Sequence, residues 1–163
     1  TQDLVTSFKE SAAKKFRSSH ALKSPPHITL QQPFRWSLKK LKSLKVALSD
    51  FASQRKSFML ELKNWDHFDD RVIFIDVLPN EELNDFQFSL NQYLSYELEL
   101  KKENRPFHPH MTVAFRDLKQ HMFPRAWAHF SNVDFYEKFE VSELVLLKHN
   151  GECWEIFERF GGS

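Results

Sequence analysis

A short motif that occurs twice is the strongest constraint on this chain. Residues 26–30 (PHITL) and 109–113 (PHMTV) share the pattern proline, histidine, apolar, threonine, apolar, one copy in each half of the sequence. The two copies use two of the chain's four threonines and two of its 8 histidines. This repetition stands out above every other local feature, and a fold for this chain must account for it.

The spacing of the motif predicts where its side chains point. Along a strand, residues i and i+2 lie on the same face. If both motifs are strands, His27 shares a face with Thr29, and His110 shares a face with Thr112. A proline has no N–H and suits the first residue of a strand. Two such strands side by side would gather two imidazoles and two hydroxyls around one cleft.

This set of groups fits in-line displacement at phosphorus without a metal. Imidazole titrates near pH 6.5, so one ring can take a proton from the attacking oxygen while the other donates one to the leaving oxygen. The threonine hydroxyls can donate to phosphate oxygens. We assign His110 as the base and His27 as the acid, although the near-symmetry of the motifs leaves these roles open. The alternative is that the histidines are structural and the threonines are strand formers.

Residues 25–30 (PPHITL) and 107–115 (FHPHMTVAF) resemble the two signature motifs of the 2H phosphoesterase superfamily, and its bacterial 2′-5′ RNA ligase-like branch most closely. The resemblance covers most of the chain. It implies an α+β fold of two lobes with pseudo-two-fold symmetry, in which antiparallel or mixed sheets form a central cleft and helices lie outside. It also implies that His27 and His110 are catalytic and that Thr29 and Thr112 bind the phosphate.

Members of that family are similar in acting on 2′,3′-cyclic phosphates, 2′-5′ phosphodiester bonds or related cyclic nucleotides. They usually begin with an apolar strand, whereas this sequence starts in a helical pattern. We therefore expect residues 1–163 to form a single two-lobed domain in which one sheet lacks its N-terminal strand.

Composition excludes several other classes of protein. The chain has 3 glycines, all near its C-terminus, which excludes a glycine-rich phosphate loop. A single cysteine, Cys153, excludes an internal disulfide and a multi-cysteine zinc site. The 23 basic and 22 acidic residues nearly cancel, unlike a protein that coats nucleic acid by bulk charge.

Localisation and partners follow from the same composition. No apolar run approaches the roughly 18 residues of a membrane span, and the start has no signal-peptide pattern. We predict a cytoplasmic monomer that needs no cofactor and has no membrane partner. Its partner would be a nucleotide or an RNA terminus with a cyclic or 2′-linked phosphate.

Four further residues are candidate substrate contacts. Trp36 could stack on a base, and Arg105 and Arg116 could hold a phosphate. The alternatives are a core aromatic ring and solvated arginines. His108 forms a His-Pro-His sequence with His110 that could chelate a metal only with ligands from elsewhere, so we predict no metal site and place His108 at the rim.

Hydrophobic periodicity predicts the remaining elements. Helices are expected over residues 2–18, 37–53, 80–98 and 117–130, the last one started, kinked or split by Pro124. Strands are expected over residues 27–30, 57–62, 71–78, 110–115, 134–141, 143–148 and 153–160. The apolar centre of 71–78 predicts burial on both faces, and Asn150-Gly151 predicts a hairpin turn.

The hypothesis is a metal-independent phosphoesterase that acts on a cyclic or 2′-linked nucleotide phosphate. A second reading is cleavage of 2′-5′ oligonucleotides by the same residues, and a third is a non-catalytic module that binds nucleotides or RNA.

Overall fold

The computed structural model describes residues 1–161 and shows an α+β fold with curled antiparallel sheets. No helix in these residues is long and apolar enough to cross a membrane. The elements in chain order are α1 (Gln2–Phe16), a 3₁₀ helix (His20–Lys23), a second 3₁₀ helix (Leu38–Lys40), α2 (Leu41–Ser53), β1 (Phe58–Phe68), β2 (Val72–Val77), α3 (Glu81–Leu98), β3 (His110–Ala114), α4 (Phe123–Ser131), β4 (Tyr136–Val141), β5 (Glu143–His149) and β6 (Trp154–Gly161).

The first lobe is built on a four-stranded sheet in the order β3-β2-β1-β4, and every neighbouring pair is antiparallel. Ile73, Phe74 and Ile75 at the centre of β2 are fully buried, so the predicted burial on both faces is confirmed. Helices α1 and α4 pack on one face and supply Val5, Ala12, Phe16, Phe123, Ala126 and Phe130 to the core. The opposite face carries Phe74, Thr112 and His110.

The second lobe consists of the β5-β6 hairpin covered by α2 and α3. Its core is a separate hydrophobic cluster made of Leu44, Leu48, Phe51, Ala52, Leu90, Leu94, Leu144 and Phe160. The predicted turn is present between the strands, where Gly151 has a φ of +101° that a residue with a Cβ rarely adopts. The Asn150 side chain accepts hydrogen bonds from the backbone N–H groups of Glu152 and Cys153.

Helix starts follow the sequence signals except in α4. The Asn80 side chain accepts from the Leu83 N–H at 2.8 Å and caps α3, so the predicted start of this helix at residue 80 is confirmed. The fourth helix does not begin at residue 117 but at Phe123, with Pro124 in its first turn, which confirms the alternative that Pro124 starts this helix. Proline is tolerated there because its missing N–H has no intrahelical partner to lose.

The prediction that residues 27–30 form a strand is also wrong. These residues run between the lobes without belonging to either described sheet. The carbonyl oxygen of Leu30 accepts hydrogen bonds from the side chains of Asn91 and Gln87 on α3, at 3.0 and 3.5 Å. Side-chain amides of a helix thus replace the neighbouring strand that the pattern predicted.

Asp117 ties the segment after β3 to the segment that leads into the first motif. Its carboxylate accepts hydrogen bonds from the Ser18 and Ser19 hydroxyls and from the backbone N–H groups of Ser19 and His20. Burial alone would raise the pKa of this carboxyl, but these hydrogen bonds hold the pKa below its ordinary value. The preceding residue, Arg116, has a positive φ of 59° that reverses the chain there.

We expect Asp117→Ala to lower the free energy of unfolding by about 1.5–3 kcal/mol at pH 7, the range for hydrogen bonds to a charged group. Because the folded-state pKa is depressed, this stabilisation is present above the unfolded-state pKa and is lost as pH falls through the folded-state value. Urea unfolding at pH 7 and in acid measures both effects. Asp134→Ala, an exposed aspartate, is the control, and equal losses in the two variants at pH 7 would contradict the role of Asp117.

Candidate active site

His110 is the first residue of β3 and lies opposite Asp76 on β2. Its ring is packed against two phenylalanines, with centroid distances of 5.0 Å to Phe68 and 5.1 Å to Phe74. The Phe68 and Phe74 rings also contact each other at 4.4 Å. These contacts place the imidazole against an aromatic surface.

The two motif histidines share one hydrogen bond pattern. His27 Nδ1 lies 2.7 Å from the Pro25 carbonyl oxygen, and His110 Nδ1 lies 2.7 Å from the His108 carbonyl oxygen. A carbonyl oxygen can only accept, so each Nδ1 carries the proton and donates it. In the neutral ring, Nε2 is then the basic nitrogen. Both motifs therefore present the same unprotonated atom for acid–base work.

The two imidazoles lie within electrostatic reach of each other. Burial lowers the pKa of His27 below its ordinary value, the Pro25 hydrogen bond raises it, and the nearby Lys9 and His110 charges lower it. Burial likewise lowers the pKa of His110, while its hydrogen bond to His108 raises it. A positive charge on His110 thus disfavours a proton on His27.

The charges around the two rings differ. The Lys9 side chain is buried, with 2% of its surface exposed, and its ammonium donates to the carbonyl oxygens of Ala21 and Ser24 at 2.9 Å each. Burial lowers the pKa of Lys9 to about 8. Among the charges around His110, His108 lowers the pKa of that ring and Asp76 raises it. The charge beside His27 is therefore that of a cation, whereas His110 lies beside two groups, His108 and Asp76, with opposing effects on its pKa.

The two threonines of the motifs are half-buried. Within residues 1–161, no protein group is hydrogen-bonded to the hydroxyl of Thr29 or Thr112. Thr112 lies opposite Phe74 and two residues after His110, on the same face of β3. Both hydroxyls are available to donate to an anion.

The four predicted substrate contacts are not gathered at one point. Trp36 packs against the core of the second lobe and donates its indole N–H to the Lys40 carbonyl at 2.8 Å. Arg116 is exposed beyond the end of β3, with its guanidinium 5.7 Å from the Phe115 ring centroid.

His108 and Arg105 lie on the approach to the second motif. His108 is exposed, and its ring centroid lies 6.3 Å from that of His110. Its Nε2 is 3.8 Å from an Asp76 carboxylate oxygen. Arg105 is exposed and makes two side-chain hydrogen bonds to Glu103, at 3.1 and 2.9 Å. Of the four candidates, only His108 contacts one of the two motif histidines.

Lys9 is the residue at this site that the sequence analysis missed. It occupies the apolar stripe of α1, in register with Val5, Ala12 and Phe16 at three- and four-residue steps. A lysine on the buried face of an amphipathic helix is the signal that identifies it, because such a position needs a specific polar partner.

No group of three or more histidine, cysteine, aspartate or glutamate side chains within residues 1–161 is arranged to hold a metal ion. The His108 and His110 pair is thus without a third ligand of these types in the described part of the chain.

The sequence profile of the 2′-5′ RNA ligase superfamily matches residues 2–152 of this chain. The chain belongs to that family, which confirms the resemblance to 2H phosphoesterases that the two motifs indicate.

Relatives and solved structures agree with this assignment. A protein of Geobacillus sp. strain WCH70 named "Putative phosphoesterase" is 29% identical over 160 residues, which cover 96% of this chain and 88% of that protein. The fold is similar to a crystal structure of E. coli LigT complexed with 3′-AMP, with a TM-score of 0.68 and 19% identity over 100% of this chain and 93% of the other. The Thermus thermophilus protein TT0787 has a TM-score of 0.68 and 19% identity over 99% and 92% of the two chains.

The tautomers of the histidines give a direct test of the site geometry. We expect neutral His27 and His110 to be Nδ1-protonated, because both donate from Nδ1 to a carbonyl. His149 is an internal control, since its Nδ1 accepts the Gly151 N–H at 3.1 Å and its proton must lie on Nε2. Long-range ¹H–¹⁵N correlation spectra distinguish the two tautomers, and Nε2-protonated rings at both motif positions would contradict the geometry.

Proposed function

We propose that this protein is a metal-independent phosphoesterase that hydrolyses a cyclic or 2′-linked phosphate at the end of a nucleotide or RNA. The observation that carries the proposal is the pair of motif imidazoles: both are anchored identically through Nδ1, and the charge of His110 lowers the pKa of His27. The family assignment and the similarity to phosphoesterases support it. The complexes of LigT with 3′-AMP and with phosphate favour a nucleotide phosphate as the ligand.

The reaction is a single displacement at phosphorus. The neutral imidazole removes a proton from water, whose oxygen forms a new bond to phosphorus. The bond from phosphorus to one ribose oxygen breaks, and the protonated imidazole gives that oxygen its proton. The product is a phosphate monoester, and the two imidazoles exchange protonation states in the process. The hydroxyls of Thr29 and Thr112 donate to the non-bridging oxygens as negative charge builds up on them.

We infer that His27 is the base and His110 is the acid. Lys9 and His110 both disfavour a proton on His27, whereas at His110 the charge of His108 lowers the pKa and that of Asp76 raises it, so the two effects oppose each other. This is the opposite of the allocation that the sequence suggested. The motifs alone are nearly symmetric, and the distinction lies in Lys9 and Asp76, which are outside them.

We expect His27→Ala and His110→Ala each to reduce kcat for a 2′,3′-cyclic nucleotide by at least about 100-fold, the usual contribution of one acid–base group. His121→Ala, an exposed histidine outside the site, is the control. Chromatography of the monoester product measures the rate, and activity should survive EDTA. Full activity in either motif variant would eliminate the two-histidine mechanism.

Two further outcomes separate the alternative functions. Turnover of 2′-5′ oligonucleotides with no turnover of cyclic phosphates would favour the second reading. Nucleotide binding that persists in the variant lacking both histidines, with no turnover of any substrate by the wild type, would favour a non-catalytic module.

The acid and base roles can be tested by the pH dependence of kcat/KM. Lys9→Met removes the positive charge near His27 and raises the pKa of His27. The acidic limb of the bell-shaped pH profile should therefore move to higher pH. Asp76→Asn removes a negative charge near His110 and lowers its pKa, so the alkaline limb should move to lower pH. Lys14→Met, an exposed lysine on the same helix, should move neither limb.

The reverse shift would reverse the assignment. If Lys9→Met moves the alkaline limb of the pH profile and not the acidic limb, His27 is the acid. Thermal unfolding of each variant shows whether it is folded, because Lys9 also supports the turn at Ala21 and Ser24.

A further inference from the structure

Lys9 is a buried lysine whose ammonium is hydrogen-bonded to the backbone just before the first motif. Its side chain is 2% exposed, and Nζ donates to the carbonyl oxygens of Ala21 and Ser24 at 2.9 Å each. Within residues 1–161 it forms no ion pair with an aspartate or glutamate. The two carbonyls are therefore the groups that stabilise this ammonium in the interior.

The position is unfavourable for a lysine. Lys9 lies on the buried face of α1 with Val5 and Ala12, where an apolar side chain would pack without losing hydration. Burial disfavours the charged form and lowers the pKa of Lys9 to about 8. Packing of the helix does not account for a lysine here, whereas its hydrogen bonds to Ala21 and Ser24 do.

The segment that Lys9 holds lies outside the described sheets. The chain leaves the 3₁₀ helix His20–Lys23 and runs through residues 24–30 without joining either sheet. The second motif is different, because β3, which begins at His110, pairs with β2. The first motif therefore needs another source of rigidity, and the hydrogen bonds of Lys9 lie directly upstream of it.

Two consecutive prolines connect the held carbonyl to His27. The Ser24 carbonyl belongs to the planar peptide unit that joins Ser24 to Pro25. The ring of Pro25 locks its φ at about −65°, and the following Pro26 confines the ψ of Pro25 to extended values. Fixing the Ser24 carbonyl therefore also fixes the direction of the Pro25 carbonyl, which accepts from His27 Nδ1 at 2.7 Å.

We propose that Lys9 is a positioning residue for His27. Its ammonium fixes the Ser24 carbonyl, and the rigid proline pair that follows orients the carbonyl to which the imidazole is hydrogen-bonded. This geometric role is separate from the effect of the Lys9 charge on the ring. The inference rests on the proposed function, since it gives His27 a part in that reaction.

The tautomer of His27 reports the position of its ring without any substrate. Lys9→Met releases the Ser24 carbonyl, and we expect neutral His27 to gain an Nε2-protonated population in long-range ¹H–¹⁵N spectra. His110 is the internal control, because its Nδ1 donates to a different carbonyl. Lys14→Met, an exposed lysine on the same helix, should leave both rings Nδ1-protonated.

A double-mutant cycle separates the geometric role of Lys9 from its charge. Pro25→Ala loosens the link between Ser24 and His27 but keeps the ammonium and its two hydrogen bonds. Lys9→Met and Pro25→Ala should each lower kcat for a 2′,3′-cyclic nucleotide at least about tenfold at the variant's own pH optimum, since a displacement of about 1 Å can cost about 100-fold. If both changes act on the same carbonyl, the double variant should be no less active than the less active single variant. Pro33→Ala, an exposed proline after the motif, is the control.

Two results would overturn the positioning role. One is a Lys9→Met variant in which neutral His27 stays as fully Nδ1-protonated as in the wild type. The other is a double variant whose loss in kcat is the product of the two single losses, which would leave Lys9 with the effect of its charge alone. If thermal unfolding shows that Lys9→Met is not folded, Pro25→Ala must itself change the His27 tautomer, and an unchanged spectrum would reject the role.

The proposed function can fail while this inference holds. The spectra need no substrate, so they measure the support of the ring independently of turnover. A wild type that turns over no cyclic phosphate, together with a His27 tautomer that changes in Lys9→Met, would reject the phosphoesterase reaction and retain the positioning of His27 by Lys9.

Discussion

The hydrogen bond from each motif imidazole to the carbonyl two residues upstream is the constraint on which the candidate site depends. In both motifs the acceptor residue, Pro25 or His108, immediately precedes a proline. A residue before proline is confined to extended backbone, which restricts the direction of the acceptor carbonyl. The proline of the motif therefore orients the carbonyl, and the carbonyl fixes the tautomer and orientation of the ring.

This local arrangement does not require a strand, which explains what the sequence could and could not predict. Residues 110–114 are in β3 and residues 27–30 are in no described sheet, yet both histidines make the same hydrogen bond. The proline of the motif fixes the backbone conformation of three consecutive residues. Whether these residues also pair with a neighbouring strand depends on the tertiary fold, which a local sequence pattern does not show.

The other differences between prediction and structure have the same origin. The cap of α3 at Asn80 and the turn at Gly151 were predictable because one side chain or one φ angle decides them. The charges beside the two motif histidines were not, because Lys9 and Asp76 come near these histidines only in the folded chain. The sequence did contain one signal, a lysine on the apolar stripe of α1, and its meaning depends on what that stripe is packed against.

The two imidazoles are carried by different parts of the fold, so their separation depends on how the lobes pack. His110 is fixed to the sheet of the first lobe through β3 and the Phe68 and Phe74 rings. The segment bearing His27 ends at Leu30, whose side chain contacts the cores of both lobes and whose carbonyl is held by α3. The alignment of the two imidazoles therefore depends on α3, because this helix holds the end of the segment that carries His27.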